Sequence, residues 1–336
     1  MSRSTLSLPA RALVESLDAL ELTGRVLVAD DETEMVLRAV RGRGHDAAAW
    51  HRLARTGRVA CPWPEPGPYD VALLRLARSR HELRMLIHAV AAVTPPGGRV
   101  VLYGANSEGI RSAGTILQDI LGEVTVAAVR RHSRILVAVR PTEIAGLKGR
   151  LEDWRQTVEL AIAGQGVPWV FYPGLFAEGR LDAGTELLVS AIPSPAPGDC
   201  VLDFGAGTGI VGWHILRQQP AASVDLLDID SLATAAQRVN VPGARAYLTA
   251  DSLAATGAGA YDLIVSNPTL HDGAREDHGV LAALVAEAPR HLKPGGALMM
   301  VVQRRIALTN SLTEAFGGGE VVAETSRFRV WRARRP

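Results

Sequence analysis

The sequence is short of cysteine and has no long apolar run, and both absences narrow what the protein can be. Cys61 and Cys200 are the only cysteines in 336 residues, so neither a disulfide framework nor a zinc site can be built from them. No run of about 18 apolar residues could span a membrane, and the first residues lack the apolar core of a signal peptide. We therefore expect a cytoplasmic protein with no metal and no membrane partner.

Lysine is scarce as well: Lys148 and Lys293 are the only two, and arginine supplies the remaining positive charge. The formal net charge is +1 and 47% of the residues are hydrophobic, which argues against disorder. Residues 1–150 nevertheless carry 21 Lys and Arg against 15 Asp and Glu (+6), whereas residues 151–336 carry 15 against 20 (−5). The first half is the better candidate for a polyanion-facing surface, although a solvated surface explains the charge equally well.

The length allows two domains, and the second half alternates strand-like runs with helical segments. The strand-like runs are CVLDF, SVDLLDI, ARAYLTAD and YDLIVSN, and the helical segments include IVGWHILRQQ and SLATAAQRVN. This alternation predicts an α/β fold with a mostly parallel, doubly wound sheet. GALMMVVQ and RFRVWRA then predict a terminal antiparallel hairpin, with RFRVWRA as the edge strand.

The first half repeats the same order of segments in a degenerate form. YDVALLR parallels YDLIVSN, and TPPGGRVVLYG parallels LKPGGALMMVV, but Ala29-Asp30-Asp31 follows the opening strand where the second half has glycines. The first copy is therefore expected to keep the fold and to have lost the ligand. We predict a degenerate domain over 1–140, a linker and the start of a hairpin over 141–164, and the working domain over 165–336.

Three glycines, Gly205, Gly207 and Gly209, end the first strand of the second half in the stretch VLDFGAGTGI. Glycine tolerates positive φ and has no side chain, so such a loop turns tightly and lets a ligand lie against its backbone. A dinucleotide-binding loop needs a small residue where this chain has Ile210. The loop therefore favours a different ligand.

Acidic residues end three successive strands of the second half. Asp203 is placed to meet a cationic amino group, Asp228 two ribose hydroxyls, and Asp251 an adenine amino group. Each acid alone is as well explained by a turn or cap, but three acids without a basic residue disfavour a phosphate-rich ligand. S-adenosylmethionine carries an amino group, a sulfonium and a ribose but no phosphate. We predict that it is bound by Asp203, Gly205, Ala206, Gly207, Gly209, Asp228, Asp251 and Ser252.

The stretch SNPTLHDG, residues 266–273, leaves the fourth strand at the sheet edge where doubly wound folds place their chemistry. Asn267 and Pro268 can present the Asn267 side-chain oxygen and a neighbouring carbonyl to one planar amino group. Two such acceptors hold the two N–H bonds and aim the nitrogen at a methyl donor. An Asn-Pro pair by itself is more often a simple turn.

Together these segments resemble the two-domain ribosomal-RNA guanine-N2 methyltransferases, the RsmC-like family. The resemblance covers most of residues 168–336 through YPGLFAEGRLDAGTELL, VLDFGAGTG, LLDID, VSNPTLHDG, HLKPGG and TSRFRVWRA. It implies two tandem Rossmann-like (class I methyltransferase) domains, the first degenerate, and methyl transfer from S-adenosylmethionine to guanine N2 in ribosomal RNA or the small subunit. It also implies that Asn267 and Pro268 orient the amino group and that no strong general base is needed.

Thr269 and Leu270 depart from the family pattern, in which a second proline and an aromatic residue precede the histidine. An aromatic residue there would stack on the flipped base, a contact worth about 1 to 3 kcal/mol in nucleic-acid binders. Either another ring serves, with Phe176, Tyr172 and His271 as the candidates, or the acceptor is not the family's guanine. The candidate substrate-binding residues are Phe176, Arg180, Leu270 and His271.

A possible RNA-docking segment, LRAVRGRGHDAAAWHRLARTGR at 37–58, holds six arginines against one aspartate, with Trp50 among them. Arginines that grip phosphates beside a stacking ring suit RNA. Three alternative functions stay open. The chain could methylate another RNA or a small molecule, act as a non-catalytic RNA-binding or ribosome-assembly factor, or be a nicotinamide oxidoreductase, which Ile210 disfavours.

Overall fold

The chain folds into two compact units. One is formed by Met1–Leu53 and Val59–Arg155, and the other by Ala54–Arg58 and Gln156–Pro336. The computed structural model describes residues 7–55, 57–268, 271–272, 275–276 and 278–336, with the backbone alone at 271–272, 275–276 and 278.

The first unit is built on a six-stranded sheet in the order β2-β1-β3-β4-β6-β5. The first four strands of that order are parallel, and the last two are antiparallel to their neighbours. The strands are β1 (Val26–Ala29), β2 (Ala47–Trp50), β3 (Val71–Arg75), β4 (Arg99–Ala105), β5 (Val124–Arg130) and β6 (Ser133–Val139). Every residue of β1 and β3 is buried, as expected for parallel strands covered on both faces.

Four helices cover this sheet: α1 (Leu8–Val14), α2 (Met35–Gly42), α3 (Arg80–Val93) and α4 (Ile110–Leu121). The first two bury Leu13 and Val36 against Val28 and Leu73 of the sheet. The third begins at a capping box, in which Ser79 Oγ accepts from the Glu82 N–H and the Glu82 carboxylate accepts from the Ser79 N–H. This reciprocal cap satisfies two backbone donors that the first helical turn leaves unpaired.

The second unit begins with the hairpin β7 (Gln156–Ile162) and β8 (Gln165–Phe171) and contains a seven-stranded sheet in the order β11-β10-β9-β12-β15-β17-β16. Its strands are β9 (Cys200–Phe204), β10 (Ser223–Asp228), β11 (Ala246–Thr249), β12 (Tyr261–Ser266), β15 (Leu292–Gln303), β16 (Glu320–Glu324) and β17 (Phe328–Arg334). The two-residue strands β13 (His271–Asp272) and β14 (Arg275–Glu276) pair with each other. The helices are α5 (Ala183–Ala191), α6 (Ile210–Gln218), α7 (Ser231–Asn240), α8 (His278–His291) and α9 (Thr309–Phe316).

The predicted fold class is confirmed, with one correction at the end of the chain. The first five strands of the second sheet are parallel, and β17 and β16 complete it in antiparallel orientation. RFRVWRA was predicted as the edge strand, but β17 pairs on both sides and the edge is β16. The alternating pattern reports which face of a strand is buried and carries no information about its neighbours in the sheet.

Successive side chains of the central strands point to opposite faces of the sheet and so contribute to two separate hydrophobic cores. Val201 and Val265 point into one core with Ile215 of α6, whereas Leu202 and Ile264 point into the other with apolar residues of α8 and α9. Because both faces are covered, the ends of the strands and the loops that leave them are what the sheet presents to a ligand.

Candidate functional site

Four of the predicted site segments lie at one edge of the second sheet. The parallel strands β10, β9 and β12 are neighbours, and their register sets Leu227 and Ser266 on either side of Phe204. The glycine loop, Asp228 and Asn267 therefore leave the sheet side by side. Asp251 follows β11, whose Thr249 pairs with Asp228, so it belongs to the same edge.

The glycine loop has the backbone conformation that its sequence requires. Gly205, Gly207 and Gly209 have φ values of 69°, 53° and 95°, which side chains with a Cβ rarely adopt. A Cβ at Gly205 or Gly207 would find no atom within 4 Å, whereas one at Gly209 would lie 2.7 Å from Val241 Cγ2. The first two glycines thus face open space, and the third allows the chain to pass close to the end of α7.

Backbone and side-chain hydrogen bonds hold this loop from below. The N–H groups of Gly205 and Ala206 both donate to the Leu227 carbonyl, at 2.9 and 3.0 Å. Gln237 is fully buried on α7, and its Nε2 donates to the Gly207 carbonyl at 2.8 Å. The loop is therefore anchored to the second strand and to α7.

Asn240 and Trp169 complete the anchoring. Asn240 Nδ2 donates to the carbonyls of Thr208 (3.0 Å) and Val170 (2.8 Å), and its Oδ1 accepts from the Val170 N–H at 2.8 Å. The Trp169 indole N–H donates to Thr208 Oγ1 at 2.8 Å. Gln237 and Asn240 were not predicted from the sequence, although their spacing of three residues places both on one side of α7.

Asp203 lies beneath the loop and is 1% exposed. Its Oδ2 accepts from the Gly212 N–H at 3.0 Å, in the first turn of α6, where the helix leaves backbone donors unpaired. Burial raises the pKa of this carboxyl to about 7, and the nearby Asp228 acts in the same direction, against the lowering effect of the Gly212 hydrogen bond. Asp203 therefore fixes the start of α6 at a cost in desolvation.

Asp228 is half-buried and supports the loop from the neighbouring strand. Its Oδ2 accepts from the Gly207 N–H at 2.7 Å, and its Oδ1 accepts from the Asp230 N–H at 2.9 Å. A carboxylate only accepts hydrogen bonds, which is the chemistry that a ligand hydroxyl requires. Further along the edge, Asp251 is exposed and Ser252 is half-buried.

Asn267 follows β12 and is held by the first turn of α5. Its Nδ2 donates to Asp182 Oδ2 at 2.7 Å and to Thr185 Oγ1 at 2.9 Å. The preceding Ser266 is fully buried and donates to the Phe204 carbonyl at 2.7 Å, which ties the end of β12 to the start of the glycine loop. Pro268 is buried. The amide of Asn267 is thus fixed beside the glycine loop, and no described residue donates to its oxygen.

The candidate substrate-binding residues differ in how far they are exposed. Phe176 is 55% exposed, in a turn where Ala177 and Glu178 have positive φ values of 62° and 40°. Arg180 is exposed, and its Nε donates to the Ala177 carbonyl at 3.3 Å. Tyr172 is 4% exposed and is packed into the unit. Leu270 and the side chain of His271 lie outside the described residues.

The corresponding edge of the first sheet is occupied by ion pairs. Arg75, at the end of β3, donates to both carboxylate oxygens of Glu108, at 2.9 and 2.6 Å. Arg52, beyond the end of β2, lies 2.6 Å from Glu82. Asp31, after β1, is 1% exposed and accepts from the Val36 N–H at the start of α2. Charged side chains thus lie along this edge, and Asp31 follows β1, the counterpart in sheet order of the strand that the glycine loop follows in the second unit.

The possible RNA-docking segment is less open than its sequence indicates. Trp50 is 3% exposed, and its indole N–H donates to the Cys61 carbonyl at 2.9 Å. The expectation that this ring stacks on a base is therefore wrong. Exposed arginines do remain on the segment: Arg38, Arg41, Arg43 and Arg55.

The described part of the chain lacks two further features. No helix there is long and apolar enough to cross a membrane. No group of three or more His, Cys, Asp or Glu residues there is placed to hold a metal ion.

Comparison with known proteins gives consistent matches. Residues 168–332 match the family Methyltransferase small domain, and residues 22–156 match Methyltransferase small domain N-terminal. The ribosomal RNA small subunit methyltransferase C of Hahella chejuensis is 30% identical to this chain. The match spans 98% of this chain and 99% of that protein. The protein of the same name from Pseudomonas entomophila is 32% identical, with 80% of each chain covered.

One solved structure shares the fold along nearly the whole chain. It is the T. thermophilus 16S rRNA N2 G1207 methyltransferase (RsmC) in complex with AdoMet and guanosine. Its TM-score is 0.87 at 23% sequence identity, with 99% of this chain and 93% of that chain covered.

Proposed function

Since the chain belongs to the ribosomal RNA small subunit methyltransferase C family, we propose that it transfers a methyl group from S-adenosylmethionine to the N2 amino group of a guanine in small-subunit ribosomal RNA. The family resemblance seen in the sequence is confirmed. The Asn267 amide carries the proposal at the level of residues, because its oxygen is left to accept beside the glycine loop.

The residues of the sheet edge fit the cofactor. Open space in front of Gly205 and Gly207 lets a ligand lie against the loop backbone, and the Asp228 carboxylate beside that loop carries the acceptor oxygens that ribose hydroxyls require. Asp251 and Ser252 continue the same edge for an adenine ring. S-adenosylmethionine, when bound, supplies a methyl group that its sulfonium already activates, so no strong general base is needed.

Asn267 and Pro268 position the acceptor in this proposal. The Asn267 oxygen accepts from one N–H of the guanine amino group, and a backbone carbonyl of the pair accepts from the other. These two bonds fix the plane of the amino group and raise the fraction of encounters in which its nitrogen faces the methyl donor. They also favour the positive charge that develops on the nitrogen as it is methylated.

A ring is still needed to hold the flipped base, because Leu270 occupies the position at which the family pattern has an aromatic residue. We assign this role to Phe176, whose exposed ring sits in a turn held at positive φ by two non-glycine residues. Arg180 closes that turn and adds a charge for a neighbouring phosphate.

The first unit is proposed to help dock ribosomal RNA. The described residues of its edge lack a glycine loop, whereas Arg38, Arg41 and Arg43 are exposed on the part of the docking segment that belongs to this unit. Arginine side chains that neutralise phosphates bind RNA without reading its sequence. Since its proposed substrate is ribosomal RNA, we place the protein in the cytoplasm.

The test is transfer of labelled methyl groups to unmethylated ribosomal RNA and to intact small subunits, followed by mass spectrometry of the nucleosides. We expect N2-methylguanosine, and a loss of at least about a hundredfold in rate for Asn267→Ala, as for removal of a single preorganised hydrogen-bonding group. Asn310→Ala is the control, since Asn310 is exposed on α9. A different methylated nucleoside would change the substrate, and cofactor binding without transfer to any fraction would contradict the proposal.

A further inference from the structure

The side-chain amide of Asn267 can take two orientations related by a flip of its nitrogen and oxygen. One presents a hydrogen-bond acceptor to the substrate and the other presents donors. With the nitrogen turned towards α5 the amide offers an acceptor to the substrate; turned over, it offers two donors. A guanine amino group is itself a donor, so only the first arrangement can hold it. What sets the orientation is therefore part of the machinery.

The partners of Asn267 determine the orientation chemically. A carboxylate oxygen only accepts hydrogen bonds, so Asp182 Oδ2 at 2.7 Å requires the amide nitrogen on its side. The Thr185 hydroxyl donates to the same Asp182 oxygen at 2.8 Å and so turns a lone pair towards Asn267 Nδ2, 2.9 Å away. Both amide protons are thereby used, and no described residue donates to Asn267 Oδ1.

Asp182 is itself held in place by the helix that it caps. Its Oδ1 accepts from the Gly184 N–H at 3.2 Å, and its Oδ2 accepts from the Thr185 N–H at 2.8 Å. The capping bonds fix the carboxylate at the start of α5, independently of β12. The side-chain hydrogen bonds thus run one way, from the Asn267 amide to the Asp182 carboxylate directly and through the Thr185 hydroxyl.

We propose that Asp182 and Thr185 are positioning residues that lock the Asn267 amide with its oxygen towards the acceptor and so make the site selective for an amino group. The inference rests on the proposed function. It adds residues that lie more than eighty positions away in the sequence, since Asn267 and Asp182 are 85 residues apart. An unprotonated ring nitrogen or a carbonyl oxygen, which can only accept, gains nothing from this amide.

The first test exchanges Thr185 for residues of the same size or the same chemistry. Thr185→Val keeps the shape and removes the hydroxyl, and we expect kcat to fall about tenfold, equivalent to about 1.4 kcal/mol, with cofactor affinity unchanged. Thr185→Ser restores the hydroxyl and is expected to recover most of that loss. Thr313→Val, which removes a hydroxyl bonded to the Thr309 carbonyl on α9, is the control. Equal kcat for the Val and Ser variants would overturn the proposal.

The second test swaps the two partners. Asn267→Asp sets two carboxylates against each other and is expected to cost at least about a hundredfold in kcat. Adding Asp182→Asn keeps a good helix cap and returns an N–H···O bond between the positions, with a carboxylate oxygen facing the acceptor. We expect the double variant to be at least about tenfold faster than Asn267→Asp. Losses that simply add would show that the two side chains do not act together.

A third readout needs no turnover. The chain has four asparagines, Asn106, Asn240, Asn267 and Asn310, so selective 15N-asparagine labelling gives four side-chain NH2 signals. Both Asn267 protons should exchange slowly with solvent in the wild type, and at least one should exchange faster in Thr185→Val. Equally fast exchange in both proteins would overturn the lock, whatever the substrate. Slow exchange in a protein that does not methylate ribosomal RNA would instead leave the lock standing and refute the proposed function.

Discussion

Arg75 and Glu108 face each other at the edge of the first sheet and share two hydrogen bonds of 2.9 and 2.6 Å. The equivalent edge of the second sheet has an open glycine loop. The Arg75 side chain is 8% exposed, so an arginine has taken a largely buried place in a fold related to one that binds a cofactor. Such a pair is costly to break, because removing one partner leaves an uncompensated charge.

We therefore expect one cofactor per chain. Calorimetric titration with S-adenosylmethionine should give a stoichiometry of about one, since an open glycine loop ends a strand of the second sheet, whereas the described residues at that edge of the first sheet include the Arg75–Glu108 ion pair. Asp228→Ala should weaken that binding, while Glu108→Gln should leave both its affinity and its stoichiometry unchanged. Two bound cofactors in the wild type would show that the first unit has kept a working site.

Alanine at Gly205 should damage cofactor binding more than folding. The positive φ of 69° costs alanine about 1 kcal/mol, and the added Cβ enters the space where the ligand lies. Gly146 is a matched control in the first unit, with a φ of 65° and no atom within 4 Å of an added Cβ. Gly205→Ala and Gly146→Ala should lose similar stability, but only the first should lose at least about tenfold in cofactor affinity. Equal affinities in the two variants would place the ligand elsewhere.

Asp203 should make the stability of the cofactor-free protein depend on pH. Its pKa is raised from 3.8 to about 7, so the folded state holds the proton more tightly than the unfolded state. The stabilising effect of the protonated carboxyl is complete below pH about 4 and is lost as the pH rises to about 7, by at most about 4 kcal/mol.

Urea denaturation of the wild type and Asp203→Asn across this range checks the sign. The asparagine keeps an oxygen for the Gly212 N–H and cannot ionise, so its stability relative to the wild type should increase from acid to neutral pH. Asp199→Asn, in a turn before β9, serves as the control for a general effect of removing a carboxyl. Parallel curves for wild type and Asp203→Asn would mean that Asp203 ionises normally.

Asn240→Ala should weaken the attachment of the glycine loop to α7. The change removes three hydrogen bonds, two to Val170 and one to the Thr208 carbonyl, and leaves partly buried backbone groups without those partners. We expect a loss of about 2 to 4 kcal/mol in the free energy of unfolding and weaker cofactor binding. Asn310→Ala is the comparison, and a loss as small as in that exposed variant would contradict the anchoring role.

Local signals in the sequence predicted most of the second fold. The strand runs and the glycine loop are contiguous, so their periodicity and their φ requirements can be recognised without knowing what they pack against. Asn267 was found in the same way, because Asn-Pro follows a strand directly.

The residues that the sequence did not predict act across long separations. Asp182 reaches Asn267 over 85 positions and Gln237 reaches the Gly207 carbonyl over 30, and each alone looks like a cap or a polar helix residue. Trp50 was misjudged for a related reason, since its arginine-rich neighbours indicated a surface while its strand end is buried. Partnerships of this kind depend on the packing of helices against the sheet, which composition does not encode.

The hydrogen bond from Trp169 to Thr208 attaches an indole chromophore to the glycine loop. Trp169 also stands edge-on to Trp213 of α6, with ring centroids 6.2 Å apart and planes at 88°. Two indoles fixed so closely at such an angle couple their electronic transitions, so their near-ultraviolet circular dichroism follows the geometry of the pair. A ligand that shifts the loop therefore changes the near-ultraviolet circular dichroism strongly and the ultraviolet absorbance little. The loop can thus be followed without any attached probe.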